Sequence, residues 1–126
     1  MYKYDREELK QLYESGLALR GRIEEIVDER WWSGIRNVCF LGIGGTWASC
    51  LQAVVHMKEK TALDVFAENA AEYLTTGNRR IGEGTLAVIS SVSGSTKEMV
   101  SAVQKLQDSG AIVLGFIDKE GSVLSE

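Results

Sequence analysis

The 126-residue sequence has no proline, a single histidine and only two cysteines. Without proline, helix and strand ends have to be set by glycine or by capping side chains. Two cysteines, Cys39 and Cys50, are too few for a disulfide framework and read as buried, reduced thiols. The lone histidine, His56, and two separated cysteines offer no metal-ligand cluster, so no metal and no cofactor are expected. No stretch is apolar for long enough to span a bilayer. The opening residues include Asp5, Arg6, Glu7 and Glu8 and carry no apolar signal core, so the expected setting is cytoplasmic and away from membranes. Positive charge is not in excess either. Fourteen basic against 18 acidic residues leave a net charge of −4. That balance argues against broad nucleic-acid binding, which needs dense Lys and Arg. A phosphate, if bound, has to be held locally by N–H and hydroxyl groups.

What is present is an alternation of apolar runs and helical patterns. From Asp5 to Trp32, leucines and isoleucines recur at roughly helical spacing between charges, with Gly16 and Gly21 as points of weakness. The pair Trp31-Trp32 points about 100° apart on a helix, so one ring is expected in a core and the other nearer a surface. Val38-Cys39-Phe40-Leu41, closed by Gly42, reads as a buried parallel strand, and Gly44-Gly45-Thr46 opens a helix running to about Lys58. Ala62–Phe66 is a second, weaker strand, followed by a short helical or irregular link from Ala67 to Leu74. Glu68 and Glu72, four apart in that link, could share a helix face, with Glu72 at a pocket rim. Thr85–Ile89 is the third strand, Ser95–Asp108 a helix ended by Gly110, and Ala111–Ile117 the fourth strand. This succession predicts an α/β fold, a flavodoxin-like three-layer αβα arrangement with parallel strand order 2-1-3-4 and an N-terminal helix ahead of it. The expected division is a helical segment over residues 1–36 and the α/β domain over 37–126.

In open parallel sheets, ligands sit at the C-terminal ends of the strands where the strand order reverses. Order 2-1-3-4 brings two loops there: Gly42-Ile43-Gly44-Gly45-Thr46 and Ser90-Ser91-Val92-Ser93-Gly94-Ser95-Thr96. They are the turns richest in glycine and hydroxyl groups. Glycine lets a backbone approach a ligand closely, and a helix N-terminus offers unpaired N–H groups with partial positive charge. Ser91, Ser93 and Thr96 add hydroxyls, and the combination suits a phosphate group. The plainer reading is that Ser93 or Ser95 caps the helix, which accounts for one serine and not for four. Other chemistries fit less well. The first loop starts like a dinucleotide fingerprint, with Glu68 as a conceivable ribose ligand, but Trp47 occupies the place of the third glycine. A Gly-Lys-Ser/Thr loop is missing, and Ser93 is flanked by Ser91 and Ser95 where a hydrolase elbow needs glycines. His56 reads as a structural or surface residue.

The two loops, in this order, resemble those of the sugar isomerase (SIS) family. Ser91-Val92-Ser93-Gly94-Ser95-Thr96 is similar to the family's Ser-x-Ser-Gly-x-Thr phosphate loop, Gly44-Gly45-Thr46 to its first loop with Thr46 in place of serine, and Ala71-Glu72-Tyr73 to the segment after its second strand. Within the family, Gly-Gly-Thr and Ser-Thr-Lys-Glu resemble the fructosamine-6-phosphate deglycase and glucosamine-6-phosphate synthase isomerase group. The resemblance implies that Gly45, Thr46, Ser91, Val92 (through its backbone), Ser93 and Thr96 hold a sugar phosphate. It implies two lobes in tandem, a homodimer, and an acid/base glutamate and histidine supplied by the second lobe. This sequence matches the first lobe without its fifth strand, as a truncated piece would. The catalytic residues of this chain are therefore unknown, and the chain alone is expected to be inactive. A sensor that binds a sugar phosphate without turning it over is the alternative reading.

Overall fold

The computed structural model describes residues 5–27 and 33–126. The chain divides into two compact units, residues 1–34 and 35–126. In the first, helix α1 (Arg6–Ile26) starts at Asp5, whose carboxylate accepts from the N–H groups of Glu7 and Glu8 at 2.9 and 3.1 Å. Such a cap is worth about 1 kcal/mol. Gly16 and Gly21 do not interrupt the helix. Ion pairs Lys10–Glu14, Arg20–Glu24 and Arg22–Glu25 line it, all solvated and each of small value. Leu9, Leu12, Tyr13, Leu17 and Leu19 are exposed. Trp31 and Trp32 lie outside the described residues.

In the second unit, apolar runs become strands. The elements are β1 (Asn37–Gly42), α2 (Gly45–Lys60), β2 (Asp64–Asn69), α3 (Ala70–Thr76), β3 (Thr85–Ser91), α4 (Lys97–Asp108) and β4 (Ile112–Ile117). All strand pairs are parallel, in the order β2-β1-β3-β4. The order reverses between β1 and β3, so right-handed crossovers send α2 to one face and α4 to the other. Cys50 and Val54 of α2 are buried, and α2 packs on β1 and β2. On the opposite face, Cys39, Leu41, Phe66, Ala87 and Ile89 of the sheet join Tyr73 of α3 and Met99, Ala102, Val103 and Leu106 of α4 in one core. The result is the expected three-layer αβα sandwich with strand order 2-1-3-4. No helix among the described residues is long and apolar enough to cross a membrane.

Glycine does the work that proline cannot. Gly110 lies at φ +86°, and after it the chain satisfies the last carbonyls of α4: Gly110 N–H reaches Gln107 O and Ala111 N–H reaches Leu106 O. Several boundaries differ from the sequence expectation: β3 runs on to Ser91, and α4 starts at Lys97. β2 continues through Glu68 and Asn69, and α3 starts after it, capped by the Asn69 side chain on Ala71 N–H at 3.0 Å. Glu68 and Glu72 therefore share no helix face. Glu68 and Asn69 pair with Leu41 and Gly42 of β1, and the Glu68 carboxylate accepts a hydrogen bond from the Asn78 side chain. Near it, the Cys39 thiol is pushed up to about 12, first by burial and then by the Glu68 charge.

Candidate functional site

The turn after β1 is shaped by backbone proximity. A Cβ on Gly42 would stand 2.8 Å from the backbone carbon and oxygen of Thr46 and from the backbone nitrogen of Trp47. Glycine there lets the first turn of α2 sit directly over the end of β1. Gly44, at φ +59°, turns the chain into the helix. The Thr46 hydroxyl closes the turn: it accepts from Ile43 N–H at 3.0 Å and donates to Ile43 O at 2.9 Å. Its one proton is thereby committed within the turn. Gly44 places no side chain on the helix start, and the first intrahelical contact runs from Trp47 N–H to Gly44 O. The N–H groups of Gly45 and Thr46 consequently have no partner in the helix.

The turn after β3 is built from hydroxyls. Ser91 is buried, and its Oγ accepts from Gly94 N–H at 3.0 Å, which leaves its own proton to donate. Ser93 Oγ and Thr96 Oγ1 lie 3.2 Å apart, and Ser93 Oγ accepts from Ser95 N–H at 3.3 Å. Neither Ser93 nor Ser95 caps α4. The N-cap is Thr96, its side chain makes no capping bond, and the helix bonds begin with Val100 N–H to Thr96 O. The N–H groups of Lys97, Glu98 and Met99 are thus also without helical partners. An uncapped helix start next to a cluster of hydroxyls is poor for stability and suitable for an anion.

The two turns meet across a cleft of about 570 Å³, lined by Ile43, Gly45, Thr46, Ser49, Ser90, Ser91, Val92, Ser93, Thr96 and Met99. That volume suits a small-molecule ligand. All six residues singled out in the two loops line it. Glu72 does not; it sits exposed on α3. His56 is exposed on α2, well along the helix from the cleft. Ser49 and Ser90 line the cleft without having been singled out. Ser49 is three residues after Thr46 and so on the same helix face, a spacing visible in the sequence. No lining residue is titratable, so the cleft offers dipoles and hydroxyls but neither a proton acceptor nor a formal positive charge. A larger hollow of about 1180 Å³ runs along α1, but Asp5–Leu17 of a single helix line it, and one helix cannot enclose a ligand. Among the described residues, no group of three or more His, Cys, Asp or Glu side chains could hold a metal ion.

A parallel sheet of order 2-1-3-4, with two uncapped helix starts facing each other where the order reverses, defines a doubly wound α/β ligand-binding domain. The sequence profile of the SIS domain matches residues 33–126, well over half of the chain, and the chain belongs to that family. Solved structures agree on the fold. The C-terminal domain of glucosamine-fructose-6-phosphate aminotransferase from Francisella tularensis is 19% identical with TM-score 0.72, covering 98% of this chain and 38% of that one. Tagatose-6-phosphate ketose/aldose isomerase from Escherichia coli is 17% identical with TM-score 0.74, over 86% of this chain and 30% of that one. A Bacillus subtilis protein assigned by inference to the phosphosugar isomerases is 26% identical with TM-score 0.64, over 72% of this chain and 28% of that one. The chain thus spans well under half the length of these proteins. Comparison with curated proteins gave no match.

Proposed function

We propose that this chain is the phosphosugar-binding lobe of a sugar-phosphate isomerase or of a fructosamine-6-phosphate deglycase. The observation that carries this reading is the cleft itself: two uncapped helix N-termini and a serine-rich turn converge on one space that holds no side-chain charge. Such a site grips a phosphate with neutral donors. In this reading, the N–H groups of Gly45, Thr46 and Val92 and the hydroxyls of Ser91, Ser93 and Thr96 take the phosphate oxygens. Family membership and the phosphosugar enzymes among its structural relatives support it.

The proposed chemistry moves a proton between C1 and C2 of an open-chain sugar phosphate, and in a deglycase the same proton movement releases an amine. Either needs a base that can take and return a proton near neutral pH. The cleft of this chain has none, so the base belongs to a second lobe or a second subunit of a homodimer. The same lack of a base favours, as a second reading, a lobe that senses a sugar phosphate without converting it. A thermal-shift panel tests the shared core of both readings. Sugar phosphates should raise the melting temperature of the wild type, the corresponding free sugars should not, and Ser93→Ala should reduce the rise. Equal rises for sugar phosphates and free sugars, or for wild type and variant, would refute the phosphate site. Turnover by the 126-residue chain, purified away from any longer form, would refute a base located elsewhere.

A further inference from the structure

We infer that Ser122 is a positioning residue for the turn after β3, and that residues 118–125 form a strap holding Ser91–Thr96 in its binding shape. The inference rests on the phosphate reading above for its functional consequence. After β4 the chain folds back along that turn. Asp118 N–H donates to Ser91 O at 3.3 Å, and Leu124 N–H donates to Gly94 O at 3.1 Å. The bond from Asp118 continues the β3–β4 ladder to its end, and the bond from Leu124 holds the fourth residue of Ser91–Thr96. The strap has its own anchors. Ser125 donates to Ser122 O through its N–H at 3.0 Å and its hydroxyl at 2.9 Å, and Leu124 packs against the core.

Between the two backbone bonds, Ser122 and Gly94 interlock. Gly94 lies at φ +61°, and a Cβ placed on it would fall 2.0 Å from Ser122 Oγ, 2.6 Å from Ser122 Cβ and 2.8 Å from Ile117 Cγ2. Ser122 is only 7% exposed, and its Oγ has no hydrogen-bond partner. An unpaired buried hydroxyl is costly, so hydrogen bonding does not explain this residue in the structure. Its size does. Ser122 fills the space behind Gly94 and leaves no slack, which fixes the path of Ser93, Gly94 and Ser95 into the start of α4. Interiors are packed too tightly to absorb an added methyl group without displacement.

The test compares Ser122→Ala and Ser122→Val in the 126-residue chain by amide hydrogen exchange and by titration with fructose 6-phosphate. Without ligand, Ser122→Val should speed exchange at residues 92–97 by about tenfold or more, and Ser122→Ala, which empties part of the space behind Gly94, should speed it by about threefold. Affinity for fructose 6-phosphate should follow the same pattern, with about a tenfold loss for Ser122→Val and about a threefold loss for Ser122→Ala, because misplaced donors bind poorly. In the wild type, saturating ligand should slow exchange at Leu124. Should Ser122→Val fail to fold, Ser122→Cys, which enlarges the side chain less, should give the same changes at about threefold. Wild-type exchange at residues 92–97 in a folded Ser122→Val or in Ser122→Ala would overturn the positioning role. If the wild type binds no sugar phosphate, the phosphate reading fails, while the ligand-free exchange comparison still decides the strap.

Discussion

Gly42→Ala is the sharpest perturbation of the first loop. The new Cβ would stand 2.8 Å from three backbone atoms of Thr46 and Trp47, where ordinary contact starts at 3.4 Å. Backbone atoms cannot rotate away as a side-chain tip can, so the first turn of α2 has to lift by roughly half an ångström. Overpacking of this kind costs about 1–3 kcal/mol, and the lost flexibility of the unfolded chain returns about 0.4–1 kcal/mol. The net destabilisation is about 0–2.6 kcal/mol, or up to roughly 12 °C in melting temperature for a chain of this size. The same lift disturbs the Thr46–Ile43 hydroxyl ring and turns the Gly45 and Thr46 N–H groups away from the cleft. Sugar-phosphate affinity should therefore fall by about tenfold or more. Gly16→Ala in α1, with nothing within 4 Å of its Cβ, is the control; it should stabilise its helix by about 0.5–1 kcal/mol. Calorimetry and a fluorescence-based titration measure both quantities. A Gly42→Ala protein that melts above the wild-type temperature would refute the close approach of α2 to β1.

Other outcomes follow from single contacts. Thr46→Val keeps the shape but leaves Ile43 N–H and O without their hydroxyl partner, and urea unfolding should detect a loss of about 1–2 kcal/mol. Lys105→Met removes hydrogen bonds of 2.8 and 3.2 Å to Tyr73 O and Leu74 O at the end of α3 and the ammonium contact with the Tyr73 ring. It should cost about 1–2 kcal/mol by the same assay. Cys39 should resist iodoacetamide at pH 8 in the folded chain and react in urea, because burial pushes its thiol up to about 12. Its effect on stability runs downward with pH. Below about 9 both states keep the proton; between about 9 and about 12 the unfolded state releases it first, so stability falls as pH rises. Denaturation midpoints measured from pH 8 to 10.5 should decline, less so in Cys39→Ala if that variant folds.

The sheet was legible because β1 and β3 contain short continuous apolar runs closed by glycine and serine, and the order of elements admits few topologies. The two loops were legible for the same reason: glycine and hydroxyl residues cluster nowhere else at strand ends. Local composition could not foretell how hydroxyls are spent. Thr46 looks like a ligand donor and instead closes its own turn; Ser93 and Ser95 look like caps and cap nothing. β2 runs further than its apolar residues suggest because Glu68 and Asn69 still pair with Leu41 and Gly42 of β1, a backbone partnership that local composition does not encode. The strap after β4 left no sequence signal, since Ser122 matters through a neighbour 28 positions away that is a glycine.

The most direct measurement is an amide-resolved NMR titration of the chain with a sugar phosphate. The account predicts saturable shifts concentrated at Gly45, Thr46, Val92, Ser93 and Lys97–Met99, abolished or weakened by Ser93→Ala and absent with the free sugar. Shifts of equal size with the free sugar, or a saturable response that bypasses these amides, would contradict it.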